Sequence, residues 1–97
     1  GDPVHVALLS AVGRDGELSK RSLDRCMENL QELIRTNLRR GDAASRCSVS
    51  QYVILLPQAN YEGSCQVLNR ITKAFVRQYP HSPAVLHYSV EALEPNP

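Results

Sequence analysis

The chain has 97 residues and a formal net charge of +1, with 11 Lys and Arg against 10 Asp and Glu. That length makes one domain, able to bury roughly 60 to 65% of the unfolded chain's surface around a single core, and leaves no room for a second. The near balance of charge excludes a broad electrostatic pull toward nucleic acid or anionic lipid, and no apolar run approaches the roughly 18 residues of a membrane span. Cys26, Cys47 and Cys65 cannot all pair and show no C-x-x-C spacing, so buried free thiols are expected rather than a disulfide framework or a zinc knuckle. The opening residues show no charged-then-apolar pattern, so a secretory leader is not expected. The ends, Gly1-Asp2-Pro3 and Pro95-Asn96-Pro97, read as linkers. The expectation is therefore a single domain, residues 1–97, excised from a larger cytoplasmic protein.

Val4 to Val12 is a nearly continuous apolar run closed by Gly13-Arg14-Asp15-Gly16, which predicts a central strand buried on both faces. From about Ser19 to Leu38 the positions Leu23, Met27, Leu30, Ile34 and Leu38 step by four, three, four and four, the stripe of one helical face. Arg39 and Arg40 are expected in its last turn, with Gly41 at the C-terminal cap. Two short strands follow, Asp42 to Cys47 and Tyr52 to Leu56, joined by a Ser48-Val49-Ser50-Gln51 turn, and Pro57 ends the second. Asn60 caps a second helix whose stripe is Cys65, Leu68, Ile71 or Thr72, Phe75 and Tyr79, and Pro80 stops it. Ala84 to Leu93 alternates, with Leu86, Tyr88 and Val90 on one face and His87, Ser89 and Glu91 on a wetter one. The order β-α-β-β-α-β predicts an α+β, ferredoxin-like fold: a four-stranded antiparallel sheet with two helices on one face.

Residues Arg39 to Pro57 carry a more specific pattern. Arg39-x-x-Asp42, then Arg46, then Tyr52 closing a turn, then Leu55-Leu56-Pro57 resemble the signature segment of GGDEF domains, the diguanylate cyclases. The resemblance implies a truncated cyclase palm. It also implies what is lost. In the family, an Asp in the first strand and an acidic residue in a Gly-Gly-Asp-Glu turn hold the divalent ions of phosphoryl transfer. This chain has Ser10 in the first place and Ser48, Val49, Ser50 and Gln51 in the second. Hydroxyls and an amide do not replace ionised ligands of magnesium. Val49 also puts a β-branched side chain where glycine lets the backbone approach a nucleotide. The nucleotide-binding helix and loop that the family inserts after the first strand are missing too. The domain is thus expected to have no enzymatic activity, no cofactor and no metal.

The family's Arg-x-x-Asp element forms an inhibitory site for cyclic di-GMP. Arg39 has the chemistry to stack on a guanine or clasp a phosphate, and Asp42 to accept from the guanine N–H edge. The plainer reading is that Arg39 suits a helix end and Asp42 a turn. Arg40-Gly41-Asp42 spells an integrin tripeptide, which an intracellular helix-to-strand junction makes irrelevant. His5, His81 and His87 share no metal-ligand spacing. Ser48, Ser50 and Ser89 are expected near Cys47 and His87, but without a nucleophile elbow or a third orienting group. Tyr52 and Tyr88 alone are too few for stacking RNA.

The leading expectation is a non-catalytic GGDEF-like interaction or dimerisation module of a bacterial signalling or transcription-regulatory protein. The small GGDEF-like domains attached to regulators with a bacterial transcriptional activator domain are the nearest resemblance. Its partners would be other domains of its parent protein or a second copy, with no nucleic acid or membrane bound directly. The alternative is a cyclic di-GMP sensor acting through Arg39 and Asp42. A third expectation makes the face bearing His87, Ser89 and Glu91 the contact surface.

Overall fold

The computed structural model describes residues 3–94; most of the two linker-like ends lies outside them. Six elements follow in order: strand β1 (Val4–Gly13), helix α1 (Lys20–Asn37), strand β2 (Ala43–Ser48), strand β3 (Gln51–Leu56), helix α2 (Tyr61–Gln78) and strand β4 (Ala84–Leu93). The strands form one antiparallel sheet in the order β2-β3-β1-β4. This is the ferredoxin-like α+β arrangement. No helix among the described residues is long and apolar enough to cross a membrane.

Each helix starts where a side chain satisfies a free backbone donor. Ser19 accepts from the Ser22 amide at 3.1 Å, and the Asn60 side chain from the Gly63 amide at 2.7 Å. The helices place Cys26, Met27, Leu30, Leu33 and Ile34 from α1, and Val67, Leu68, Ile71, Ala74 and Phe75 from α2, against the sheet. The sheet answers with Ala7, Leu9 and Ala11 from β1 and Tyr52, Ile54 and Leu56 from β3. Ile71 rather than Thr72 takes the core position on α2, and Cys65 is only half-buried. Gly13 closes β1 where the backbone folds back on itself: a Cβ there would overlap the Gly16 carbonyl.

Three expectations are corrected. β1 is central but covered on one face only. His5, Ala7, Leu9 and Ala11 are buried beneath the helices, whereas Val4, Val6, Leu8 and Ser10 are half-buried on the other side. A run apolar at both parities therefore marks an uncovered face here, not a second layer. Helix α1 ends at Asn37, short of the arginines. Leu38 is already extended (φ −87°, ψ 150°), and only Arg35 supplies a cation to the last turn. In the last turn the Thr36 hydroxyl donates to the Glu32 and Leu33 carbonyls and Asn37 Nδ2 donates to the Leu33 carbonyl at 2.8 Å. Beyond Leu38, whose amide still reaches the Ile34 carbonyl, the Arg39 amide donates to Asp42 Oδ2 instead of to a helical carbonyl. Finally, Cys26 alone is fully buried, while Cys47 is exposed on β2.

Candidate functional site

The β2–β3 turn is tighter than the expected four residues. Ser48 and Gln51 pair, leaving Val49 and Ser50 as a two-residue loop, and a register shift between Arg46 and Ser48 puts Cys47 in a bulge. The turn's polar groups satisfy one another. Ser48 Oγ accepts from the Ser50 amide at 3.2 Å and donates to Gln51 Oε1 at 3.2 Å. Gln51 Nε2 in turn donates to Ser10 Oγ at 3.1 Å across the β1–β3 pair, where the two residues lie opposite each other. Arg46 braces the loop from beneath, donating to the Ser48 carbonyl at 3.2 Å and the Val49 carbonyl at 2.8 Å. Ser10 and Gln51, the neighbour of Ser50, thus meet as a neutral hydrogen-bonded pair. Val49 stands out at 70% exposed.

Tyr52 follows this turn but belongs to the core. It is 6% exposed, and its hydroxyl donates to the Met27 carbonyl at 2.8 Å, tying the hairpin to the middle of α1. Burial raises its phenol above the ordinary pKa of 10.0, partly opposed by the Arg46 guanidinium. Cys47 and His87 lie on the two edge strands, β2 and β4, with β3 and β1 between them. The expected approach of the hairpin serines and Cys47 to His87 and Ser89 is overturned for that reason. Ser10, not Ser48 or Ser50, is the residue opposite His87.

Arg39 and Asp42 do come together, through the backbone. The Asp42 amide donates to the Arg39 carbonyl at 3.0 Å, and the Arg39 amide donates to Asp42 Oδ2 at 2.9 Å. Gly41, at φ 95°, supplies the left-handed residue that this reciprocal turn requires. Among the described residues the ion pairs join Lys20 to Asp24, Arg35 to Glu32 and Arg46 to Asp24. The Arg39 guanidinium takes part in none of them. It lines a cleft of about 780 Å³ together with Asp42, His5, Leu56, Gln66 and Arg70, a volume within the ordinary range of small-ligand sites, about 300–1,000 Å³.

Two groups in this cleft were not singled out from the sequence as site residues. Arg70 projects from α2, held loosely by an Nε contact of 3.5 Å to Asn37 Oδ1; helical periodicity marks it only as a polar-face residue. His5 is 7% exposed, and its Nδ1 has no hydrogen-bond partner among the described residues. A buried unpaired imidazole nitrogen is costly unless something else satisfies it. Its signal in the sequence was a lone polar residue sharing the strand parity of Ala7, Leu9 and Ala11. The cleft therefore gathers two guanidinium groups, one carboxylate and one imidazole at the end of β1 away from Ser10. That set suits a ligand with both anionic and hydrogen-bonding parts.

Element order and strand pairing define a ferredoxin-like domain. In particular, its fold is similar to that of an EAL/GGDEF domain protein from M. capsulatus. The TM-score is 0.66 at 19% identity, over 95% of this chain and 64% of that one. It is similar also to PelD from Pseudomonas aeruginosa PA14 in complex with c-di-GMP, with a TM-score of 0.61 at 19% identity over 94% of this chain and 33% of PelD. A de novo designed protein, Foldit4, matches as well, with a TM-score of 0.51 at 9% identity over 96% of this chain and all 100% of its own. Such identities speak for the fold alone, and the designed match marks how little fold says of function. No family model and no curated protein matches the chain.

Proposed function

We propose that this domain is a non-catalytic GGDEF-like module that binds cyclic di-GMP in the cleft formed by Arg39, Asp42 and Arg70. The observation that carries the reading is the cleft itself. Arg39 is free of ion pairs, and Asp42 keeps one carboxylate oxygen beyond the 2.9 Å bond to the Arg39 amide. Two arginines match two phosphates, and the carboxylate matches a guanine N–H edge. A c-di-GMP complex of the similarly folded PelD supports the same assignment. The loss of catalysis rests on the neutral Ser10–Gln51 pair, which offers magnesium no ionised oxygen.

Within this proposal the domain works by passing ligand occupancy, through protein contacts, to other parts of a larger cytoplasmic bacterial protein. Signalling or transcription regulation is the setting that the hairpin's resemblance favours. Calorimetric titration with cyclic di-GMP tests the ligand. Micromolar binding that Arg39→Ala weakens at least tenfold, about 1.4 kcal/mol, is expected. Absence of heat at millimolar ligand would sink the sensor and leave the interaction role. Turnover of GTP by the pure domain would refute the non-catalytic part outright.

A further inference from the structure

The sheet has a second face that neither helix covers. Across it run Val4, Val6, Leu8, Ser10 and Val12 of β1, Gln51, Val53 and Leu55 of β3, and Val85, His87, Ser89, Glu91 and Leu93 of β4. Val12, Leu55 and Leu93 are exposed by 44, 39 and 52%. Glu91 is the only acid among these residues and no Lys or Arg joins them, although 22% of the chain is charged. Among the described residues the other charges lie on the helices, turns and margins of the sheet. An apolar sheet face of this kind loses free energy by standing in water.

We propose that this face pairs with the same face of a second copy of the chain, and that Glu91 and His87 set the register. The argument is one of symmetry. Ser89 lies midway between His87 and Glu91 on β4, and the pairing places Ser89, Leu8 and Val53 in one row across the sheet. A twofold axis along that row brings each Glu91 over the partner's His87, so one contact is made twice, as an isologous dimer requires. The carboxylate accepts from the imidazole N–H, and Leu8 and Val53 meet their own copies at the centre. Ser10 and Gln51, which fall opposite the apolar Val6 and Leu55, already bond each other at 3.1 Å, which meets part of their demand for partners.

Area sets the strength. With strands about 4.8 Å apart and about 3.3 Å per residue, the four strands, including Ala43 and Ser45 of β2 beside Leu55 and Val53, span roughly 500 Å² per copy, so about 1,000 Å² in total. That is the lower edge of specific interfaces, and a dissociation constant of tens of micromolar is expected. The inference stands apart from whatever fills the Arg39 cleft, which opens at the α2 side of the sheet.

Sedimentation velocity of the whole chain from about 1 µM to 1 mM tests it. The wild type should pass from monomer to dimer. Exposed Glu91→Lys and His87→Glu should each raise the dissociation constant at least tenfold without altering the thermal melt, and the two combined should restore it. Leu8→Asp, checked for folding by circular dichroism, should give monomer throughout. A wild type that stays monomeric at 1 mM overturns the proposal, as does a dimer indifferent to all four variants. A dimer that Leu8→Asp breaks but the exchanged charges do not rescue overturns the register.

Discussion

The two ends of strand β1 have met opposite fates. At its start His5 forms part of a cleft that keeps two arginines, Arg39 and Arg70, and one carboxylate, Asp42. Five residues on, roughly 17 Å at strand rise, Ser10 sits against Gln51 in a closed neutral network. Charged groups persist where they face open space and could meet a ligand. Where the cyclase pattern would gather acids, hydroxyls and an amide have settled into bonds with each other. Like carboxylates held together need a cation to remain together, and neutral groups do not. A hairpin whose neutral polar groups bond one another is thus self-sufficient, whereas a cleft with guanidiniums free of ion pairs is not.

The largest effect should come from the residue that anchors the neutral end. Tyr52→Ala removes a buried ring and its bond to Met27, and should cost about 3–5 kcal/mol in urea denaturation. Tyr52→Phe, losing only the hydroxyl, should cost about 1 kcal/mol. If both changes cost the same, the hairpin is not tied to α1 as described. Next, Ser10→Asp with Gln51→Glu would place two carboxylates side by side across β1 and β3. Stability should fall by about 2 kcal/mol, and GTP turnover, followed by chromatography, should stay absent. Appearance of cyclase activity would mean that the two ends differ only in these side chains.

A smaller change is expected from Arg70→Ala, which should weaken cyclic di-GMP binding by about fivefold to tenfold, roughly 1–1.4 kcal/mol, and leave the melting temperature in place. An unchanged affinity would remove α2 from the ligand site. The smallest effect concerns the thiols. Burial pushes the Cys26 thiol up to about 11 from its ordinary 9.0. A folded-state pKa raised above the unfolded one contributes stability that is fully present below pH 9.0 and is lost as pH rises toward 11. Cys26→Ala should remove that part of the alkaline slope. At neutral pH a maleimide should label exposed Cys47 first and Cys26 last.

Much of the fold was legible because helices and strands advertise themselves by period. The Leu23-to-Ile34 stripe and the alternation of Ala84 to Leu93 placed α1 and β4 closely. What periodicity could not supply was the company each element keeps. Val4, Val6 and Leu8 are apolar like a doubly covered strand, yet among the described residues no second layer lies over them. The end of α1 depended on the Arg39 amide turning to the Asp42 carboxylate, a choice invisible in hydrophobic spacing. Of the candidate site, Arg39 and Asp42 were readable as a tetrapeptide, and Ser10, Ser50 and Gln51 as missing acids. Arg70 and His5 were not, since their approach to Arg39 is created by β1, β3 and α2 folding together.

The bulge at Cys47 also decides which border of the sheet is dangerous. On β2 the strand is six residues long, and the slipped register breaks its row of amides and carbonyls, so an incoming chain finds little to template on. The outer border of β4 runs ten residues with unbroken pairing on its inner side. Should this protein ever assemble edge to edge into fibres, growth would begin along Ala84 to Leu93.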